Sequence, residues 1–178
     1  MSYLDSLRRF FSSKQEDAPT DESTAVDLED FWKLTDQTDF LIAINERLNE
    51  RTDYGDHLEW LSVEEQVFYI CNLLMEEVNN GGFEQFLYNS SGDHAHRVEE
   101  CLRTIGADKT ADICHTAFSA FGKPIPQERS KREKFLDKME SEEISEVLSD
   151  CDDQFYDYPD PLEELCYRFI VANKSKFS

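Results

Sequence analysis

The residues best equipped for chemistry lie together in Glu76-Glu77-Val78-Asn79-Asn80-Gly81-Gly82-Phe83-Glu84-Gln85-Phe86, which continues to Asn89-Ser90-Ser91-Gly92. Paired carboxylates can act as general acid and base, and the amides of Asn79, Asn80, Gln85 and Asn89 can recognise polar groups. Glu76 and Glu77 also stand at the end of a helical pattern, where they oppose the helix dipole at about 0.3 kcal/mol or more each. Such local conflicts often mark function. The structural alternative is a Gly-Gly corner between two helices, with the amides tying the turn. That reading is favoured, and an enzyme of unknown reaction using the Glu76–Gln85 cluster stands behind it.

Other catalytic and metal-binding patterns fail on spacing. No Lys-Ser/Thr follows Gly92, so the Gly- and Ser-containing stretch is not a phosphate-binding loop. No G-x-S-x-G elbow is present. An EF-hand loop opening at Asp150 needs Gly where Phe155 stands and Glu where Pro161 stands. His94 and His96 point about 200° apart on a helix and cannot share an ion. His96 with Glu100, and His115 with Asp112, are ordinary helical pairs. No metal and no cofactor is expected, and the chain is read as not an enzyme.

These residues sit in a chain of 178 residues with net charge −21. Such a charge argues against direct nucleic-acid binding, which rests on Lys and Arg at phosphates. It argues equally against an anionic membrane. The charge is uneven: residues 1–14 carry net +2, residues 15–65 net −13, residues 66–136 net −2 and residues 137–178 net −8. With no long apolar run and no secretory h-region, the expectation is a cytoplasmic protein. Cys71, Cys101, Cys114, Cys151 and Cys166 are odd in number, unpaired in spacing and flanked by apolar helical positions, which predicts small buried hydrophobes.

Periodicity predicts an all-α fold of about eight helices in a single compact domain. Residues 1–14 read as an amphipathic N-terminal helix, 15–34 as an acidic flexible linker with a short helix, and 35–178 as the helical domain. Ser62 and Glu65 form a capping-box signal opening a helix over about 62–78, apolar nearly all round and hence central and buried. Further helices are expected over 36–51, 83–88, 108–121, 127–139 and 141–155. Another is expected after a cap at Asp93, and a last one after Asp160-Pro161. The N-terminal helix offers at most marginal membrane association.

The segment Glu77, Asn79, Asn80, Gly81, Gly82, Phe83, Gln85 and Phe86, followed by Asn89, Ser90, Ser91 and Gly92, resembles the signature of a bacterial all-helical family named after a DNA-mimic protein. Leu61-Ser62 with Glu65, Phe68-Tyr69, Ile105-Gly106-Ala107 and Phe155-Tyr156 extend the resemblance to roughly residues 35–175. It implies a helical fold and, for the namesake, a negative surface that imitates the DNA backbone to occupy a DNA-binding protein. The signature marks the fold and does not itself carry mimicry.

Mimicry needs carboxylates in ordered rows, because basic grooves expect regularly spaced phosphates. Glu143, Glu146, Asp150, Asp153 and Asp157 recur at three- and four-residue steps, opposite Ile144, Val147, Leu148, Cys151 and Phe155. Asp39, Glu46, Glu50 and Asp53 form a sparser row on the 36–53 helix. These nine acids are the expected partner-binding residues. The basic stretch Arg129, Lys131, Arg132 and Lys134 can neutralise an acidic row within the fold or across a homodimer. The leading expectation is an acidic interaction protein that engages a basic, DNA-binding partner as a DNA mimic. The alternative from another class is an immunity-type protein that neutralises a toxin with a basic active site.

Overall fold

Caps and apolar spacing decide where each helix begins. The computed structural model describes residues 31–177, and the described residues are all-helical, without a strand. The expected N-terminal helix at 1–14 and the linker up to residue 30 lie outside them. Seven α-helices follow among the described residues: α1 (Gln37–Arg51), α2 (Val63–Tyr88), α3 (Ala95–Ile105), α4 (Asp108–Ser119), α5 (Arg129–Met139), α6 (Glu142–Tyr156) and α7 (Leu162–Ala172). None is long and apolar enough to cross a membrane.

The described chain divides into two compact units, one running to Tyr69 and resuming at Glu163, the other spanning Ile70–Leu162. In the first, Asp36 caps α1 by accepting from the N–H groups of Thr38 and Asp39 at 2.9 and 3.0 Å. Phe40, Leu41, Ile44 and Leu48 form the buried stripe of α1. Phe40 meets Tyr167 edge-on at 5.3 Å, and Phe68 meets Phe177 at 6.4 Å. The capping box forms as the sequence predicts: the Ser62 hydroxyl accepts from the Glu65 N–H, and the Glu65 carboxylate accepts from the Ser62 N–H at 2.8 Å. The same carboxylate, buried, accepts from Arg51 at 2.5 Å.

In the second unit α2 supplies Ile70, Cys71, Leu74, Val78, Phe83, Phe86 and Leu87 to the core. Phe83 packs edge-on against both Phe118 and Phe155 at 6.0 Å. All five cysteines, Cys166 of the first unit among them, are buried. Burial pushes the thiols of Cys101 and Cys166 up to about 12, so they pack as small apolar groups.

Three local expectations are corrected. Asp93 does not cap α3; the capping position is His94, and Asp93 lies in the 3-10 turn Ser90–His94. Its carboxylate is drawn instead to Arg132 at 2.7 Å. Asp160 serves another helix than the one it precedes. It accepts from the N–H and hydroxyl of Thr110 at 2.8 and 3.0 Å, in the first turn of α4, whose own capping position is Ala107. An alanine cannot satisfy the free N–H groups of a helix start, and a buried carboxylate from a distant loop does so. The 108–121 helix, finally, stops at Ser119.

Candidate functional site

The glycine corner is built by breaking α2. Its helical backbone fails at Gly81 and Gly82, and Gly82 has φ 76°. That left-handed value favours glycine, and a second demand falls on the same atom. The Asp152 carboxylate of α6 lies so close that its Cγ would stand 2.8 Å from a Cβ on Gly82. The missing side chain lets Asp152 accept from the Phe83 N–H at 2.8 Å, at the start of the 83–88 arm. An anion there satisfies a free donor and the positive end of the arm's dipole. Burial raises the Asp152 pKa, and the Phe83 N–H opposes that shift.

The motif side chains bond mostly to one another. Glu77 accepts from Gln85 Nε2 at 2.7 Å and from Asn89 Nδ2 at 2.8 Å. The Tyr156 hydroxyl donates to the Val78 carbonyl at 2.9 Å, and Tyr158 donates to Asn79 Oδ1 at 2.9 Å. Phe83 is fully buried, whereas Asn80 and Ser90 are exposed. Gly92 is buried against Arg132, whose Nε would lie 2.7 Å from a Cβ there. A corner so tied holds one helix arm against the next.

Arg132 is the largest departure from the sequence reading. It does not neutralise an acidic row: its side chain is fully buried. Nε donates to the Leu87 carbonyl at 2.6 Å and an outer nitrogen to the Asn89 carbonyl at 2.8 Å. The other outer nitrogen donates to the Pro126 and Gln127 carbonyls at 3.2 and 2.5 Å. A planar fork of five donors suits the carbonyl-rich end of a helix arm. Its neighbours are exposed, with Arg129 paired to Glu133 at 3.0 Å and Lys131 paired to Glu128. His115 pairs with Glu99 at 3.1 Å rather than with Asp112, which Arg103 takes at 2.6 Å.

The acidic rows differ in regularity. On α6, Leu148, Cys151 and Phe155 are buried, and Glu143, Glu146, Asp150, Asp153 and Asp157 are all exposed. Ser141 caps the helix, and Asp157 is its last capping residue, so the row spans about 21 Å. Among the described residues none of the five forms an ion pair. The helix-start N–H and the Ser141 hydroxyl hold the Glu143 carboxyl below the usual range. On α1, Asp39, Glu46 and Glu50 are exposed. Asp53 is exposed as well but leaves the row: α1 ends at Arg51, and Asp53 sits in a turn at φ 50°. Each row belongs to a different unit, α6 to the second and α1 to the first.

Sequence reasoning missed Asp152 and gave Asp160 and Arg132 other roles. Of these only Asp152 has a local signal, since paired glycines inside a helix announce a close approach. Among the described residues no group of three His, Cys, Asp or Glu is placed to hold a metal ion. A groove of ≈ 500 Å³ lies beside His96, Glu99, His115 and Phe118.

No curated protein and no solved structure gives a match to the chain. The sequence profile of the DMP19-like protein family does, over residues 59–173, a stretch holding the glycine corner, the buried Arg132 and the whole of α6. The chain belongs to the DMP19-like protein family.

Proposed function

We propose that this protein is a non-catalytic, acidic binding protein that occupies the basic surface of a DNA-binding protein in place of nucleic acid. The observation that carries the reading is the α6 row: five exposed carboxylates along about 21 Å of one helix, free of ion pairs among the described residues. Unpaired carboxylates present their full charge to a partner, and a complementary basic face is steered to them in a salt-sensitive way. Family membership supports the same reading through the DNA-mimic namesake. The corner motif contributes rigidity, because its carboxylates and amides are engaged with one another.

The test is affinity capture from the native host at about 50 mM and about 500 mM salt, with screening lengths of roughly 14 and 4 Å. The bait is compared with a variant carrying Glu143→Gln, Glu146→Gln, Asp150→Asn, Asp153→Asn and Asp157→Asn. A basic DNA-binding protein is expected at low salt, displaced by high salt, by the variant and by competing duplex DNA. Recovery of no basic protein at low salt sinks the reading.

A further inference from the structure

Within the second unit, between the 83–88 arm of α2, α5 and α6, lies a narrow slot of ≈ 30 Å³. Its floor is apolar: Leu87, Phe121, Leu136 and Leu148 line it and are all buried. Glu84 and Glu140 also line it, and both are exposed. Tyr88 forms a wall, its hydroxyl donating to Asp137 at 2.7 Å.

Size and charge together select an occupant. The void has room for about two water-sized groups, enough for one side chain's stem and too little for a cofactor or a helix. An apolar floor rewards a hydrocarbon stem, whereas two carboxylates at the rim repel an anion and leave a neutral chain's end without a charged partner. Among the described residues neither Glu84 nor Glu140 forms an ion pair, and no lysine of α5 lines the slot. The Tyr88 hydroxyl is pushed up to about 12, first by its bond to Asp137 and then by burial and the charges of Asp137, Glu84 and Glu140. Two carboxylates therefore line the slot, and a third, Asp137, holds the hydroxyl of its Tyr88 wall. A long side chain with a cationic head fits such a place. Arginine fits better than lysine, because its planar fork reaches two carboxylates at once and stacks on an aromatic wall.

We propose that this slot receives a single arginine side chain of the basic partner, with its stem on Leu87 and Leu148 and its guanidinium between Glu84 and Glu140. The proposal rests on the reading that the partner is basic, and adds to it an anchor outside the α6 row. Arginine in a desolvated slot is a common centre of binding energy at interfaces.

The experiment titrates the full, isotope-labelled chain with acetyl-Gly-Arg-Gly-amide at low salt and follows backbone amide shifts. Counterparts carrying lysine or citrulline, the latter an uncharged analogue of arginine, are run in parallel. Saturable shifts are expected at Glu84, Tyr88 and Glu140, with citrulline at least tenfold weaker and lysine weaker than arginine. Glu84→Gln with Glu140→Gln is expected to weaken arginine binding at least tenfold while the circular dichroism stays unchanged. Citrulline binding as well as arginine overturns the proposal. So do shifts confined to Glu143–Asp157, or an unaltered affinity in the double variant; lysine equal to arginine overturns the choice of arginine. The titration needs no partner and the capture needs no peptide. Capture of a basic protein with no peptide at the slot removes the slot alone, and the reverse result removes the DNA-mimic reading alone.

Discussion

At the scale of single residues, the second unit depends on a charge placed where charges are rarely found. Arg132 is fully buried and is held by four carbonyl groups and the Asp93 carboxylate. Removing it takes a donor from each of those carbonyls, of which only Asn89's is seen to keep another, the Gly92 N–H at 3.1 Å, and leaves Asp93 without its counter-ion. Arg132→Gln is expected to lower stability by about 3–5 kcal/mol in urea denaturation. Nearby, His94 is held neutral: burial, then Arg97, lowers its pKa to about 4, with His96 and Arg132 adding and Asp93 opposing. The unfolded imidazole takes a proton near pH 6.5 and the folded one only near pH 4. The stability contributed by neutral His94 is therefore full above about pH 6.5 and is lost as pH falls towards 4. The expected loss is on the order of 3 kcal/mol, read as a falling urea midpoint between pH 7 and pH 4 that flattens in His94→Gln. Neither feature was legible in the sequence. Arg132 sits among Arg129, Lys131 and Lys134, and carbonyls more than forty residues away, at Leu87 and Asn89, help to single it out.

At the scale of elements, helix starts separate what is local from what is not. The Ser62–Glu65 box and the Ser141 cap lie within three residues of the groups they bind, and each was readable from spacing alone; the Asp36 cap is equally local, at a position read only as the start of the helix. Asp160 was read by the same rule and misassigned, because its acceptor oxygen goes to Thr110, fifty residues back. A Pro following an Asp signals a cap without saying whose. Asp160→Ala is expected to cost about 1–2 kcal/mol. Amide hydrogen exchange should show faster exchange at Thr110 and through the first turn of α4, with α5 unaffected. Equal protection of Thr110 in both proteins would contradict this assignment. The rows of acids on α1 and α6 were legible because exposure follows directly from the apolar face opposite. The loss of Asp53 from its row was not, since it depends on where α1 stops.

At the scale of the whole molecule, net charge −21 sets a background of self-repulsion. A chain with so large an excess of acids over bases gains stability when salt screens it. The thermal midpoint is expected to rise by a few degrees between about 0.02 and about 0.5 M sodium chloride. The variant neutralised at Glu143, Glu146, Asp150, Asp153 and Asp157 should begin higher at low salt and show a shallower rise, as measured by calorimetry. A flat salt response in the unsubstituted protein would mean that the row's charges are compensated in solution. The all-helical architecture was legible at this scale because period and caps recur along the chain. The slot between the 83–88 arm, α5 and α6 was not, since it exists only once three helices have met.

The five buried thiols are a set of clocks already wired into the chain. A thiol that is shut away and resists ionisation reacts with a disulfide reagent only when its surroundings open. Cys166 belongs to the first unit, and Cys71, Cys101, Cys114 and Cys151 to the second. Mass spectrometry of timed labelling with such a reagent would thus read the opening rate of each unit without a single substitution. Arg132→Gln should speed the four clocks of the second unit and leave Cys166 keeping its own time.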